Sequence, residues 1–435
     1  MTRTGRATAG FPETGDVVRM ARSGTTVTIE AQVDCRGEAV VYRGVTDGGA
    51  QVAVMWYRQD LSVGRQRRWV IDALASDASP HPALNWPIDI VECDRVGGFG
   101  YLTQLVPERF VSLAQLLGTA EQPSFRVLAS IGRELADAFA ALHAAGLHFR
   151  DINLGIPLAD PGQGDVVIQF DDSIGPDGEE KLCWIPSCFM APEVIRGEAE
   201  PSAAGDLHCL AVLLYYLLVH GHPLEGSRAR EPDASQHLGA DPLFVFDPAD
   251  TSNAPEAGDP VLAWWPIYPR FLRDLFIRAF STGLTDASPG GRVTEREWQR
   301  AMVRLADCVS ACSCGAQVLW DPDEPQSRCW NCQSAPPPPL LLDLPGHTIA
   351  LSAGAVLTSG HLSGDLDFRT PRGQVEHHPK LPGEVTLRNV SDSPWTIEPA
   401  AEEQKILAPG LRIRARPMTI NFGSVRGTIR PQRTG

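Results

Sequence analysis

The chain has 435 residues, 43% of them hydrophobic and 21% charged, with 38 basic against 53 acidic side chains and a net charge of −15. That length suits two to four domains built around real cores and excludes global disorder. So acidic a balance excludes a general binder of nucleic acid or of anionic membrane.

In chain order, residues 1–25 are polar and small and read as a flexible arm. TVTIEAQV, AVVYRGVT and QVAVMWYR then read as strands, with a Gly-Gly turn at 48–49 and Val52, Val54 and Trp56 alternating as on a half-buried strand. A helical pattern over 61–77 precedes two further strands, in HPALNWPIDIVECD and GFGYLTQLV. From 111 the pattern turns helical. Leu128, Ile131, Leu135, Phe139 and Leu142 recur at helical steps, and Gly146 suits the position just past the helix end. DLHCLAVLLYYLLVHG predicts a helix buried on most sides, and TEREWQRAMVRL an amphipathic helix opened by a Thr294/Glu297 capping box. SAPPPPLLLDLP reads as a stiff Pro-rich linker. The short strands beyond it suggest a β-sandwich. No run of about 18 apolar residues appears, so no membrane span is expected. The N-terminus lacks the apolar stretch of a signal peptide. A cytoplasmic setting is expected, with the ten cysteines acting as thiols or metal ligands.

Four cysteines cluster as Cys312-x-Cys314-Gly315 and Cys329-x₂-Cys332. Two short-spaced pairs brought together across a hairpin make a closed tetrahedral site, so a structural zinc is expected, with Cys308 as an alternative ligand. His377-His378 reads as a surface loop, and Trp264-Trp265 as packing surface.

Leu142-His143-Ala144-Ala145-Gly146-Leu147-His148-Phe149-Arg150-Asp151 resembles a protein-kinase catalytic loop, with Phe149 in place of the usual His. Ile168-Gln169-Phe170-Asp171 stands where a kinase has Asp-Phe-Gly, and Met190-Ala191-Pro192-Glu193 is the APE motif. Asp206 opens the buried helix, and Arg292 lies where kinases place the partner of the APE Glu. With HPLEG, WPIDIVE and INFGSVRGTIR, the chain over about 30–430 resembles a bacterial Ser/Thr-kinase-like family. Members of that family are encoded beside a von Willebrand A protein and a PP2C-type phosphatase, in clusters related to tellurite resistance.

The resemblance implies an α+β chain: a two-lobed protein-kinase fold, then a zinc ribbon, then a C-terminal all-β sandwich. The expected boundaries are 26–305 for the kinase-like domain, split into lobes of 26–105 and 106–305. The ribbon is expected at 306–334, the linker at 335–345 and the sandwich at 346–430.

Phosphoryl transfer needs a Lys on the phosphates, two metal ligands, a Gly-rich lid and a base. Met55 stands at the Lys position, and the first Lys of the chain is Lys181. Arg43 or Arg58 could reach inward, but a guanidinium is bulkier and differently shaped. Ile156 replaces the metal-binding Asn, and Gln169 the metal-binding Asp, with Asp171 and Asp172 two and three residues on. The three lid glycines are Asp34, Arg36 and Ala39, and Asp34 with Glu38 would repel phosphate. These replacements put ATP and Mg²⁺ binding in doubt. Arg150, Glu193, Asp206 and Arg292 remain as structural residues. Asp151 is either the relic of a base or a hydrogen-bonding loop residue.

The reading is a pseudokinase that scaffolds or regulates a phosphorylation module. Its protein partners are the von Willebrand A and PP2C-type proteins, with no role for nucleic acid or membrane. The alternatives are an active atypical Ser/Thr kinase and a metal-independent nucleotide sensor. Arg412, Arg414 and Arg416 alternate, which raises a phosphopeptide-reading face on the sandwich against an ordinary exposed one.

Overall fold

The computed structural model describes residues 10–36, 39–57, 68, 71–119, 122–149, 152–170, 174–176, 188–230, 236–288, 290–321, 324, 328–399 and 403–432. The N-terminal lobe is a closed antiparallel barrel. Its strand order is Val17–Met20, Thr26–Arg36, Ala39–Thr46, Gln51–Tyr57, Phe99–Gln104 and Asp89–Glu92, which pairs back to the first. The alternation expected at Val52, Val54 and Trp56 sends these side chains into one apolar cluster with Val18, Ile29 and Leu102. Ala53, Met55 and Tyr57 therefore point the other way, as the two-residue period of a strand requires.

The expected arm over 1–25 needs correction, because Val17–Met20 is a barrel strand paired to Thr26–Thr28 on one side and Val91–Glu92 on the other. Val18 is fully buried in the barrel, and that burial holds a strand too short to show a period of its own.

The C-terminal lobe is built on helices. Phe125–Ala144 starts where the Ser124 hydroxyl accepts the Val127 N–H, and buries Leu128, Ile131, Leu135, Phe139 and Leu142 along one face. Gly146 follows the cap with φ of 73°, the left-handed geometry that glycine tolerates. Ala203–Val219 is buried on nearly every side. Glu295–Asp307 opens with the Thr294/Glu297 capping box. It crosses the Phe125–Ala144 helix closely: a Cβ at Gly132 would stand 2.6 Å from Met302 Sδ. No helix of the described residues is long and apolar enough to cross a membrane.

The cysteine segment grows from the end of that last helix. Strands Val309–Ala311 and Gln317–Leu319 pair antiparallel, and Val309 and Leu319 belong to the C-lobe core. The Gln317 side chain accepts the Phe125 N–H, and Asp321 accepts that of Arg270. This segment therefore shares a core with the lobe, and the boundary expected at 305/306 cuts a continuous helix.

The C-terminal part has two antiparallel sheets around one apolar cluster that includes Leu342, Leu357, Leu387, Trp395 and Ile420. One sheet has six strands and the other four. The linker expected over 335–345 is shorter than read. Leu340–Leu344 is an inner strand of the larger sheet, between His347–Ala350 and Arg426–Pro431. The adjacent prolines hide it in the sequence, while Leu341 and Leu342 are both fully buried. This two-sheet unit docks on the C-lobe helices. Arg369 reaches Glu134 at 2.6 Å and His81 Nε2 at 2.8 Å, and Arg126 reaches Ser352 Oγ at 2.6 Å.

Candidate functional site

Of the residues expected to handle phosphate and metal, Met55 faces the core shared by the two lobes, and Ile156 and Gln169 lie in the C-terminal lobe. Met55 is half-buried on the cleft side of its strand, opposite Val41 and Tyr101, and packs against the core that spans both lobes. Its thioether is apolar and soft, with nothing to offer a phosphate oxygen. Around it the cleft face of the barrel is aromatic: Tyr57 stacks on Phe99 at 5.5 Å and on Tyr101 at 6.2 Å.

Ile156 and Gln169 are adjacent. The Gln169 N–H donates to the Ile156 carbonyl at 3.2 Å, at the mouth of the hairpin of Pro157–Ala159 with Val166–Gln169. The fold thus brings together the two positions expected from the resemblance to hold a metal, and the pair presents an alkyl group and a neutral amide. Neither matches the carboxylate-rich oxygen set that Mg²⁺ takes. Asn153 is engaged locally, its side-chain carbonyl accepting the Gly155 N–H at 2.8 Å.

Phe170 is locked between two aromatics. It meets Trp86 edge-on at 5.6 Å and Tyr101 at 5.4 Å, and its carbonyl accepts the Tyr101 hydroxyl at 3.2 Å. The lid differs from a Gly-rich loop. The strand pairing runs on through exposed Asp34 to Arg36 opposite Ala39, and Asp34 Oδ1 accepts the Cys35 N–H at 2.8 Å. Arg58, Arg150, Asp151, Asp171, Asp172, Gly37 and Glu38 lie outside the described residues.

The bracing residues are in place. Arg292 is buried, and its Nη2 lies 2.7 and 2.8 Å from the two carboxylate oxygens of Glu193. Asp206 is buried and accepts the Phe149 N–H at 2.7 Å, which secures the segment that leads into the catalytic-loop position. It also meets His143 Nε2 at 3.0 Å, and the other nitrogen of that ring meets Glu295. Burial opposes a charge on His143, but the hydrogen bonds to Asp206 and Glu295 outweigh it and hold its pKa up at about 9. Burial raises Asp206 to about 6, with His143 pulling it back. Sequence reasoning missed His143 and Glu295. The signals were His143 inside the catalytic-loop motif and Glu295 in the first turn of a helix.

The four thiols converge. Cys312 Sγ lies 3.7 Å from Cys332 Sγ and Cys314 Sγ 3.9 Å from Cys329 Sγ, with all four atoms within 4.8 Å of one another. A tetrahedron with Zn–S bonds of about 2.3 Å has sulfur separations of about 3.8 Å. Two turns make the arrangement, with Gly315 at φ 90° in one and Gln333 at φ 61° in the other. Cys308 stands apart at the end of the last helix, its thiol pushed up to about 12 by burial.

A second group, Asp307 with His347 and His361, has a similar compactness. His361 Nδ1 accepts the Thr358 N–H at 3.0 Å and is so engaged within its own turn, while its Nε2 lies 3.2 Å from Asp307 Oδ1 and His347 Nδ1 lies 3.3 Å from Asp307 Oδ2. The group is an acid–histidine clasp that joins the last helix to the two-sheet unit.

His377, expected in a loop, instead ends the strand Pro371–His377 opposite Val385, and only His378 turns at the surface, its Nδ1 accepting the Lys380 N–H. Trp265 stacks on Phe246 at 4.6 Å within the C-lobe. Arg412 pairs with Glu376 at 3.1 Å and Arg414 with Glu384, so two of the three alternating arginines are already neutralised.

Comparison with known proteins gives a partial likeness. No family model matches the chain. Over 113 residues it is 34% identical to ribosomal protein S6 kinase alpha-4 of Mus musculus, and 33% identical to that of Homo sapiens. Each match takes in 25% of this chain and 15% of the relative's length. The likeness to these kinases is confined to those 113 residues. The kinase domain of PknI from Mycobacterium tuberculosis aligns over 68% of this chain and all of its own, at 18% identity and a TM-score of 0.44.

Proposed function

We propose that the chain is a pseudokinase: a kinase-like body that acts by binding partners in a bacterial, cytoplasmic phosphorylation module instead of transferring phosphate. The observation that carries this reading is the trio Met55, Ile156 and Gln169. All three stand where the kinase resemblance would put the anchors of phosphate and metal, and none carries a charge. A charge-stabilising group removed from such a site costs roughly 10²–10³ in rate. Here the anchoring of phosphate and the holding of metal fail separately, so one compensating residue does not restore both.

In the same reading, Cys312, Cys314, Cys329 and Cys332 hold a structural zinc that fastens the segment after the last helix. A closed thiolate site has no open position and supplies no chemistry of its own. The two-sheet unit serves as a β-sandwich module, and the von Willebrand A and PP2C-type proteins are the expected partners.

The test is transfer of radiolabelled γ-phosphate from ATP to the chain itself and to those two proteins, with thermal-shift titrations of ATP with and without Mg²⁺ or Mn²⁺. No transfer and no metal-dependent shift are expected. Transfer by the wild type that is lost in Asp151→Ala would establish an atypical kinase. An ATP-induced shift that needs no metal, without transfer, would establish a nucleotide sensor.

A further inference from the structure

A cavity of about 580 Å³ lies where the two-sheet unit meets the Phe125–Ala144 and Glu295–Asp307 helices. That volume falls in the range of small-molecule sites. Ala129 and Met302 from the helices, with Ile349 and Phe368 from the sheets, give it apolar walls. None of Met55, Ile156 and Gln169 lines it, so it is separate from the cleft.

The guanidinium groups of its wall are matched by acids, with one exception. Arg133 pairs with Glu134 and Asp137, and Arg369 with Glu134. Arg126 donates to the carbonyls of Ala306 and Val309 and to Ser352 Oγ, with no carboxylate hydrogen-bonded to it among the described residues. Its Nε is enclosed without a partner there. Burial pushes this guanidinium down to about 10, with Asp307 acting the other way through its charge. Beside it the backbone stays clear, since Gly354 has no side chain and a Cβ there would come 3.8 Å from Nε. Ser130 and Gln374 also line the cavity, and neither side chain has a hydrogen-bond partner among the described residues. Apolar walls with a few polar groups that lack protein partners are the makeup of a ligand site.

We propose that this cavity binds a small carboxylate with an apolar body, its carboxylate set against Arg126 and its body against Ala129, Met302, Ile349 and Phe368. The ligand is a monoanion because Glu134, Asp165 and Asp307 line the same space and would repel a second negative charge. The site is independent of whether the cleft transfers phosphate.

The experiment uses the full chain with sodium octanoate, 1-octanol and octyl phosphate, each titrated by calorimetry and by thermal shift. Octanoate is expected to bind saturably and raise Tm, octyl phosphate to bind more weakly, and octanol to give no saturable signal. Arg126→Gln should weaken octanoate about tenfold or more, the loss of one charge-assisted contact. Gln374→Trp should fill the cavity and abolish binding while Tm without ligand stays within a few degrees. If Arg126→Gln does not fold, Gln374→Trp alone carries the test. The proposal is overturned if octanoate does not saturate, if octanol matches it, if octyl phosphate binds more tightly, or if Gln374→Trp binds octanoate like the wild type.

Discussion

Arg292 and Glu193 are 99 residues apart and meet with a guanidinium nitrogen 2.7 and 2.8 Å from the two carboxylate oxygens. The same guanidinium caps the carbonyls of Ala204 and Gly283, so one side chain ties three segments. A buried pair is costly to break from one side because its partner is left unmatched. Arg292→Ala should therefore cost about 3–5 kcal/mol in urea unfolding. Glu193→Gln keeps an acceptor and should cost about 1–3 kcal/mol. A loss below about 1 kcal/mol for Arg292→Ala would show that the pair is not a brace.

The line Glu295–His143–Asp206 predicts a pH dependence. His143 has a folded pKa of about 9 against an ordinary 6.5, so the folded chain keeps a proton that the unfolded chain has released. Its contribution is complete below pH 6.5 and disappears as pH rises through 9. The loss is on the order of 3 kcal/mol. Asp206, raised to about 6 by burial, acts with the same sign between its ordinary 3.8 and pH 6. Chemical denaturation across pH 6.5–9 should show the decline, and His143→Gln should flatten it. A wild-type profile that rises over that interval refutes the assignment.

Purified protein should return about one zinc per chain on elemental analysis. Cys329 is the fully buried member of the thiol set, so Cys329→Ser should abolish the metal and lower Tm by about 5–10 °C. Exposed Cys35 lies far from the set in sequence, and Cys35→Ser should do neither. Chelation that leaves Tm unchanged would remove the structural role.

Phe170 predicts a packing effect at the cleft. Phe170→Ala removes a ring held by Trp86 and Tyr101 and should cost about 3–5 kcal/mol. Tyr101→Phe leaves the Phe170 carbonyl without its donor and should cost about 1–2 kcal/mol. Differential calorimetry of the two variants checks the order.

What the sequence revealed follows from range. The stripe from Leu128 to Leu142 and the capping box at Thr294 and Glu297 are local patterns, and the helices form where those patterns stand. The thiol pairs announce themselves by spacing, and Glu193 with Arg292 by motif order. The contacts of Arg126 with Ser352, 226 residues apart, and of Arg369 with Glu134, 235 apart, leave no periodic trace. The strands at Val17–Met20 and Leu340–Leu344 were hidden for another reason. One is only four residues long, the other follows a run of prolines, and tertiary burial fixes both.

The strand at Val17–Met20 closes the N-terminal barrel, and none of the six barrel strands keeps an unpaired flank. A ring of ladders has no seam at which a second chain could insert its backbone. A partner docking on the barrel would therefore have to be recognised by side chains. The outer strands of the two-sheet unit, Lys405–Leu407 and Arg412–Arg414, keep one flank unpaired with a strand, and Ile406 faces solvent at 73% exposure. Among the described strands, those of the two-sheet unit therefore offer a backbone edge that the closed ring does not.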